Sequence, residues 1–388
     1  MPGEHGAKTV RHGFGPRPSL GRRQPAPNLR TVSAAAAALI ALRLAVYAAL
    51  APNGLARDLC QWDCHWYLSI AESGYDVAPH LVRGLWQANW AFFPLFPLLV
   101  RLTATLTSVA PPITGAAVAT LALWAFTVLG WLYRVRTRPN ASPWPWLLLL
   151  AAWPYGFYFD AAYSESLYAA LTIACLLALQ TGRPWLAAAA CASVTATRPT
   201  GVLLAVWFSI HRLWRARLAR NPMEAVRLLA PAALAPLGII GFMAFLWGHV
   251  GDPFAFATIQ GAWGHTLRNP FAVLLDALRA ADPRNGHIGL FYLVGWALLG
   301  LGAAGLLAAK RRPPEAWLCA TTVLMALLSG VVWSMPRFVA CSPAFLLATT
   351  DVLEAVPSLG GRAILLLAFA AVQVVFLLGW FRGAAFLM

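Results

Sequence analysis

The stretch CQWDCHWYLSIAESGYD, residues 60–76, sets one carboxylate, Asp63, among tryptophans and beside a histidine. A carboxylate held in place can take the proton from a sugar hydroxyl as that oxygen attacks. If residues 61–75 are helical, Asp63, Tyr67 and Gly74 share one face, while His65 and Glu72 fall nearly opposite. Trp62 and Trp66 suit stacking on sugar faces, and they equally suit the aromatic belt of a membrane surface. A plain cap on a surface helix is the competing reading of Asp63. Cys60 and Cys64 flank it; they pair if the segment faces an oxidising space, although buried free thiols are the commoner outcome, and the sequence leaves the choice open.

Three further polar groups call for chemistry. In WPYGFYFDAAYSESLYAAL, residues 153–171, Tyr163, Ser164 and Glu165 lead into an apolar helix. They fit a substrate site, but Glu165 falls in the first turn, where the helix dipole favours a negative charge, so capping stays open. On the capping reading, Glu165→Gln costs far less turnover than loss of Asp63. Arg198 in TATRPTGVLL and Arg337 in SMPRFVA stand at the outer ends of apolar runs. An arginine inside a bilayer costs about 2.5–3.5 kcal/mol on insertion scales, so each needs a partner or water. The guanidinium fork matches phosphate oxygens, with interfacial snorkelling as the alternative. Asp252, Gln260, Trp263 and His265, from GDPFAFATIQGAWGH, suit the holding of an acceptor.

These groups must be positioned by a chain that is mostly oil. Of its 388 residues, 60% are hydrophobic and 11% charged, against roughly 25% charged in a soluble domain. Apolar runs recur from about residue 31 to the end without period-two alternation, which excludes a β-barrel and predicts an all-α polytopic membrane protein. The runs predict about eleven spans, near 31–51, 113–133, 145–160, 164–180, 185–197, 199–213, 228–249, 288–309, 316–333, 338–353 and 363–382. Prolines and Arg101 mark NWAFFPLFPLLVRLTATLTSV, residues 89–109, as an interfacial helix. Two large outer loops follow, 52–112 and 250–287. Breaks are expected at Trp153-Pro154 and Arg198-Pro199, beside a polar site.

The formal charge of +15 does not indicate nucleic acid. Its arginines and lysines cluster in the first 30 residues and in RVRTR (134–138), HRLWRARLAR (211–220) and KRR (310–312), as topology signals on the cytoplasmic side that meet anionic lipid at most. Residues 1–30 read as a disordered basic tail, ahead of one membrane domain over 31–388. The six cysteines form no zinc-like framework. HExxH, GxxxxGK[ST] and GxSxG patterns do not occur, and no GxGxxG lies in a βαβ setting, so ATPase, dehydrogenase and serine-hydrolase readings have no support.

Taken in order, WDCHWYLSIAESGYD, AFFPLFPLLVRL, YSESLYAAL, ATRPTGVLL, GDPFAFATIQGAWG and MPRFVACSPAF resemble the PIG-V-like family of mannosyltransferases over about residues 55–345. That resemblance implies a GT-C membrane fold with the catalytic carboxylate in the first outer loop. It implies transfer of a sugar, mannose first, from a polyprenyl-phosphate donor to a lipid-linked or glycan acceptor, with inversion. Mapped here, the carboxylate is Asp63, the FFP segment places Phe93 in a loop helix, and Tyr163, Ser164 and Glu165 match the second motif. Arg198 and Arg337 are assigned to the donor phosphate by charge alone. A single phosphate does not demand a divalent metal, so no cofactor is expected. The expected location is a bacterial plasma membrane with an extracytoplasmic site. A solute or lipid transporter and a non-catalytic polyprenyl-lipid binder are the alternatives.

Overall fold

The apolar runs fold as helices. A computed structural model describes residues 28–82, 84–280, 289–330, 332–384 and 387. The expected tail over 1–27 and the outer-loop residues 281–287 lie outside the described residues, and the first helix already begins at Leu29. Each run expected to span contains helix. By length and hydropathy alone, four helices can cross a membrane: Leu29–Leu50, Pro111–Thr137, Leu290–Ala309 and Leu359–Phe381. A pair bent by 51°, Pro222–Ala233 with Leu237–Val250, makes a fifth. The expected eleven also counts shorter apolar helices such as Glu165–Gln180, Pro184–Thr195 and Pro313–Leu328, which lie under the ~20 residues of a full crossing. Strand among the described residues is confined to one hairpin, His80–Val82 with Leu85–Gln87.

Local sequence explains where these helices start and stop. Asn28 caps the first through its side chain, which accepts from the Arg30 amide at 3.1 Å. Proline stands in the first turn of Pro111–Thr137, Pro184–Thr195, Pro313–Leu328 and Pro343–Ala355, where its missing N–H is not needed. The two expected breaks are present. The helix Trp144–Ala151 stops before Pro154 and resumes as a 3-10 turn over Gly156–Phe159, and the Pro184–Thr195 helix is separated from Gly201–Arg217 by the turn holding Arg198 and Pro199. A proline disfavours the helical conformation in the residue before it, so each break leaves polar residues free to face inward.

The Pro111–Thr137 helix is the axis of the molecule, packed along Glu165–Gln180 and against Leu29–Leu50. At one end, the loop elements Cys64–Ser73 and Leu95–Thr107 lie across it. The Leu95–Thr107 helix is about 20 Å long, too short to cross a ~30 Å core. It buries Phe96 and Val100 and exposes Leu98, Leu102 and Leu106, as a helix lying on the membrane surface does. The second loop packs on the first: Trp263 meets Trp66 edge-on at 6.0 Å, and Phe256 meets Phe93 at 5.3 Å.

At the far end of the axis most of the charge in the runs 134–138 and 310–312 is paired. Arg134, Arg138, Lys310 and Arg312 all lie within 3.2 Å of the carboxylate of Asp351, which is 1% exposed. Glu354 takes Arg134 and Arg138 as well, and Glu315 takes Arg312. The expectation that 134–138 and 310–312 share one side holds. Internal carboxylates hold Arg134, Arg138, Lys310 and Arg312, while Arg136 and Arg311 in the same runs stay exposed.

Candidate active site

Asp63 sits at the start of the Cys64–Ser73 helix, and Tyr67 one turn on faces the same way, as the spacing predicts. Together they line a cavity of about 240 Å³ whose other polar walls are Arg198, Gln260, His265, Ser334 and Arg337, with Phe92, Phe93 and Trp263 as its aromatic walls. Arg337 is the hub. Its Nη1 donates to Asp63 Oδ2 at 2.6 Å, and its Nε donates to Glu165 Oε1 at 2.7 Å. Arg198 Nη1 reaches the same Glu165 oxygen at 2.7 Å. Two carboxylates and two guanidiniums therefore form a neutral quartet, with Asp63 its more exposed acid at 31%.

This arrangement corrects the capping reading of Glu165. Its side chain is fully buried, and its job is to separate two guanidiniums that would otherwise repel. Both arginines have found the partner that a membrane-embedded cation requires, which removes snorkelling as their explanation. Arg337 also lies over the Tyr163 ring at 5.0 Å, and Arg198 over Phe338 at 5.6 Å. Such faces attract a desolvated cation.

Tyr163 and Ser164 are brought to the site from behind and do not line the cavity. The Tyr163 hydroxyl donates to the Gln61 carbonyl at 2.8 Å and accepts from the Asp63 amide at 3.0 Å. Ser164 Oγ and the Tyr67 hydroxyl lie 2.8 Å apart. Burial pushes the Tyr67 hydroxyl up to about 12, more than nearby Arg198 pulls it down, so it stays protonated. A close approach makes these contacts reachable: a Cβ on Gly115 would lie 2.7 Å from the Ala162 Cβ. The FFP segment docks through the Leu95 amide, which donates to the Ala196 carbonyl at 3.0 Å, next to Arg198.

The remaining candidates divide. Gln260 and Trp263 line the cavity. So does His265, whose pKa burial lowers against the opposing pull of Asp63. Trp66 stands one layer back, stacked on Phe92 at 6.0 Å. Trp62 packs against the core with its indole nitrogen buried and unpartnered, and His65 is exposed to solvent. Asp252 caps a turn, accepting from the Phe254 amide at 2.8 Å. These last three do not line the cavity, because their positions on the turn or helix point them elsewhere. Cys60 and Cys64 are joined in a disulfide with Cα atoms 5.2 Å apart, a pairing that the sequence left open. Among the described residues no cluster of three His, Cys, Asp or Glu side chains is set to hold a metal.

Sequence reasoning passed over one buried pair. Arg43, in the middle of the first span, meets Asp160 at 2.6 Å, with both side chains at most 4% exposed. The signal was an arginine inside an alanine-rich run, of the same kind that singled out Arg198.

An apolar groove of about 350 Å³ adjoins the cavity. Phe256, Leu267, Met325 and Leu328 line it, and it shares Pro199, Thr200, Gln260, His265 and Phe338 with the cavity.

Fold and site together define a polytopic helical membrane protein with a carboxylate–arginine cavity among its surface loops. Residues 29–237 match the sequence model of the family described as Mannosyltransferase (PIG-V), and the chain belongs to that family. The matched stretch holds Asp63, Tyr163, Glu165 and Arg198 and stops short of Arg337. GPI alpha-1,6-mannosyltransferase 2 of Cricetulus griseus is 28% identical over 205 residues, covering 48% of this chain and 39% of that protein. Its Homo sapiens counterpart is 32% identical over 175 residues, covering 41% of this chain and 32% of that protein. The chain thus aligns with well under half the length of these relatives. Among solved structures, the oligosaccharyltransferase AglB of Archaeoglobus fulgidus is similar at TM-score 0.42 and 14% identity, covering 90% of this chain and 56% of that one. ArnT of Cupriavidus metallidurans is similar at TM-score 0.42 and 13% identity, covering 90% and 76%.

Proposed function

We propose that the protein transfers a sugar, mannose by its family, from a polyprenyl-phosphate donor to a hydroxyl of a lipid-linked or glycan acceptor, with inversion. The observation that carries this reading is the joining of a cavity holding a carboxylate and two arginines to an apolar groove through shared walls. A donor with a charged head and an isoprenoid tail needs both compartments side by side. Family membership supplies the sugar chemistry.

Asp63 acts as the general base. With Oδ2 bonded to Arg337, Oδ1 is left for the acceptor's proton. The acceptor oxygen attacks the anomeric carbon from the face opposite the phosphate, and the polyprenyl phosphate leaves. The quartet couples the two ends of this step. As Asp63 takes the proton, its charge disappears and Arg337 is left with a surplus positive charge. The departing phosphate gains negative charge at the same moment, so a pre-placed guanidinium stabilises it without rearrangement. The disulfide supports an oxidising, extracytoplasmic location for the loop.

The test is initial transfer from radiolabelled polyprenyl-phosphate-mannose to membrane acceptors. Asp63→Asn keeps the size and one hydrogen-bond acceptor but cannot take the proton, and the rate is expected to fall about 10²–10⁴-fold. Wild-type turnover in a folded Asp63→Asn protein removes this mechanism.

A further inference from the structure

The five residues that carry Asp63 to the cavity are held in a conformation they would not choose. Trp62 has φ of +49°, in the left-handed region where an L-residue's Cβ crowds the following carbonyl oxygen. Asp63 follows at the N-cap position with φ −64° and ψ −20°, and its side chain makes no capping bond. An N-cap aspartate ordinarily has an extended backbone and turns its carboxylate back onto the second or third helical amide. The helical backbone at Asp63 turns the carboxylate away from those amides, toward Arg337 at 2.6 Å.

Two devices hold this state. The Tyr163 hydroxyl, on a side chain with no exposure, engages Gln61 O and Asp63 N, the backbone on either side of Trp62. The Cys60–Cys64 disulfide closes the same five residues into a ring. Neither lines the cavity. Strained backbone persists only where its surroundings over-determine it, and here two unrelated restraints converge on one aspartate.

We infer that the Tyr163 hydroxyl and the Cys60–Cys64 disulfide form one clamp that denies Asp63 its capping position and holds its carboxylate in the cavity, so that turnover depends on the oxidised loop. Released, Asp63 relaxes to the extended region, caps its own helix and lets go of Arg337. Tyr163, Cys60 and Cys64 are positioning residues, and the inference rests on Asp63 as the base. Reduction opens the clamp with two electrons and two protons from a dithiol, which closes to its own cyclic disulfide and leaves two cysteine thiols.

The experiment uses the full chain in lipid nanodiscs, with labelled polyprenyl-phosphate-mannose as donor. Tyr163→Phe keeps the ring over Arg337 and deletes both clamp bonds; the double variant Cys60→Ser, Cys64→Ser deletes the ring closure. Each is expected to lower kcat on the order of 10- to 100-fold, the scale of a misplaced catalytic group, with donor KM within about twofold. The deciding readout is the same pair of changes made on Asp63→Asn, where no base remains to be placed. There both should leave the residual rate unchanged, since coupling appears only between interacting groups. An equal loss on the Asp63→Asn background, or no loss on wild type, overturns the clamp. Should the variants fail to fold, dithiothreitol treatment of the wild-type protein replaces them. The other four cysteines are buried free thiols, and turnover should fall on confirmed reduction and return on reoxidation. Full turnover of the reduced protein overturns the inference. A failed base assignment shows separately, as wild-type turnover in Asp63→Asn alone.

Discussion

Glu165→Gln is the substitution that best separates a charge-balanced quartet from a helix that merely begins with an acid. Glutamine keeps an oxygen where Oε1 accepts from both arginines, and its amide nitrogen takes the place of Oε2, a site already buried without a partner. The main change is in charge, taking the quartet from neutral to a net positive charge around two buried guanidiniums. At an effective dielectric of 20 each close pair is worth about 4 kcal/mol before desolvation is counted. Removing one member of a buried pair costs a net of about 3–5 kcal/mol, and the retained hydrogen bonds favour the lower end. About 3 kcal/mol corresponds, for a chain of 388 residues, to a fall in melting temperature of roughly 3–5 °C, read by scanning fluorimetry in nanodiscs. Turnover should fall as well, because Arg337 orients Asp63. Arg198→Gln made on top of Glu165→Gln restores neutrality, so the double variant should melt higher than Glu165→Gln alone. If Glu165→Gln melts and turns over like wild type, the quartet is not what holds this site. If the double variant melts lower still, charge balance is the wrong account.

Asp351→Asn strips the shared carboxylate from Arg134, Arg138, Lys310 and Arg312 and should cost about 3–5 kcal/mol of stability, while the rate per folded molecule stays within twofold; a matching loss of rate would tie the two ends together. His265, its folded pKa held below the usual histidine value by burial, is neutral at pH 7. The unfolded chain therefore binds its proton first, so stability is intact above about pH 6.5 and falls as acid passes downward through the folded value. His265→Gln should shrink the acid loss of melting temperature between pH 6.5 and 5, and an unchanged profile refutes that assignment. Leu106, 76% exposed on the surface helix, should react as Leu106→Cys with an impermeant reagent added outside intact cells; reaction only from the cytoplasmic side inverts the layout.

Periodicity and punctuation made much of this legible. The i, i+4 spacing placed Asp63 and Tyr67 on one face, the prolines at 154 and 199 marked the breaks, and the cost of buried arginine demanded partners for Arg198 and Arg337. What the pattern could not supply was who those partners are. Glu165 lies 172 residues from Arg337, and nothing local distinguishes it from a cap. The role of Tyr163 was hidden for another reason: its partners are backbone atoms of Gln61 and Asp63, which carry no sequence signature. Trp62, His65 and Asp252 were chosen by residue type and proximity, and their backbone orientation takes them out of the cavity. The partners of the basic runs stayed hidden because Glu315, and Asp351 with Glu354 three residues on, sit in otherwise apolar helices far along the chain.

Asp63 and Arg337 are separated by 274 residues, and that distance has a meaning during synthesis. The chain emerges N-terminus first at about 5–20 residues per second, so the loop bearing Asp63 waits roughly 15–55 s for its guanidinium. Over that interval Glu165 and Arg198, both made early, can already neutralise each other, while the aspartate has no counter-charge and the groove lacks the wall formed by Met325 and Leu328. A half-made chain therefore lacks both the completed quartet and the closed groove, and the cavity becomes whole only with the last third of the polypeptide.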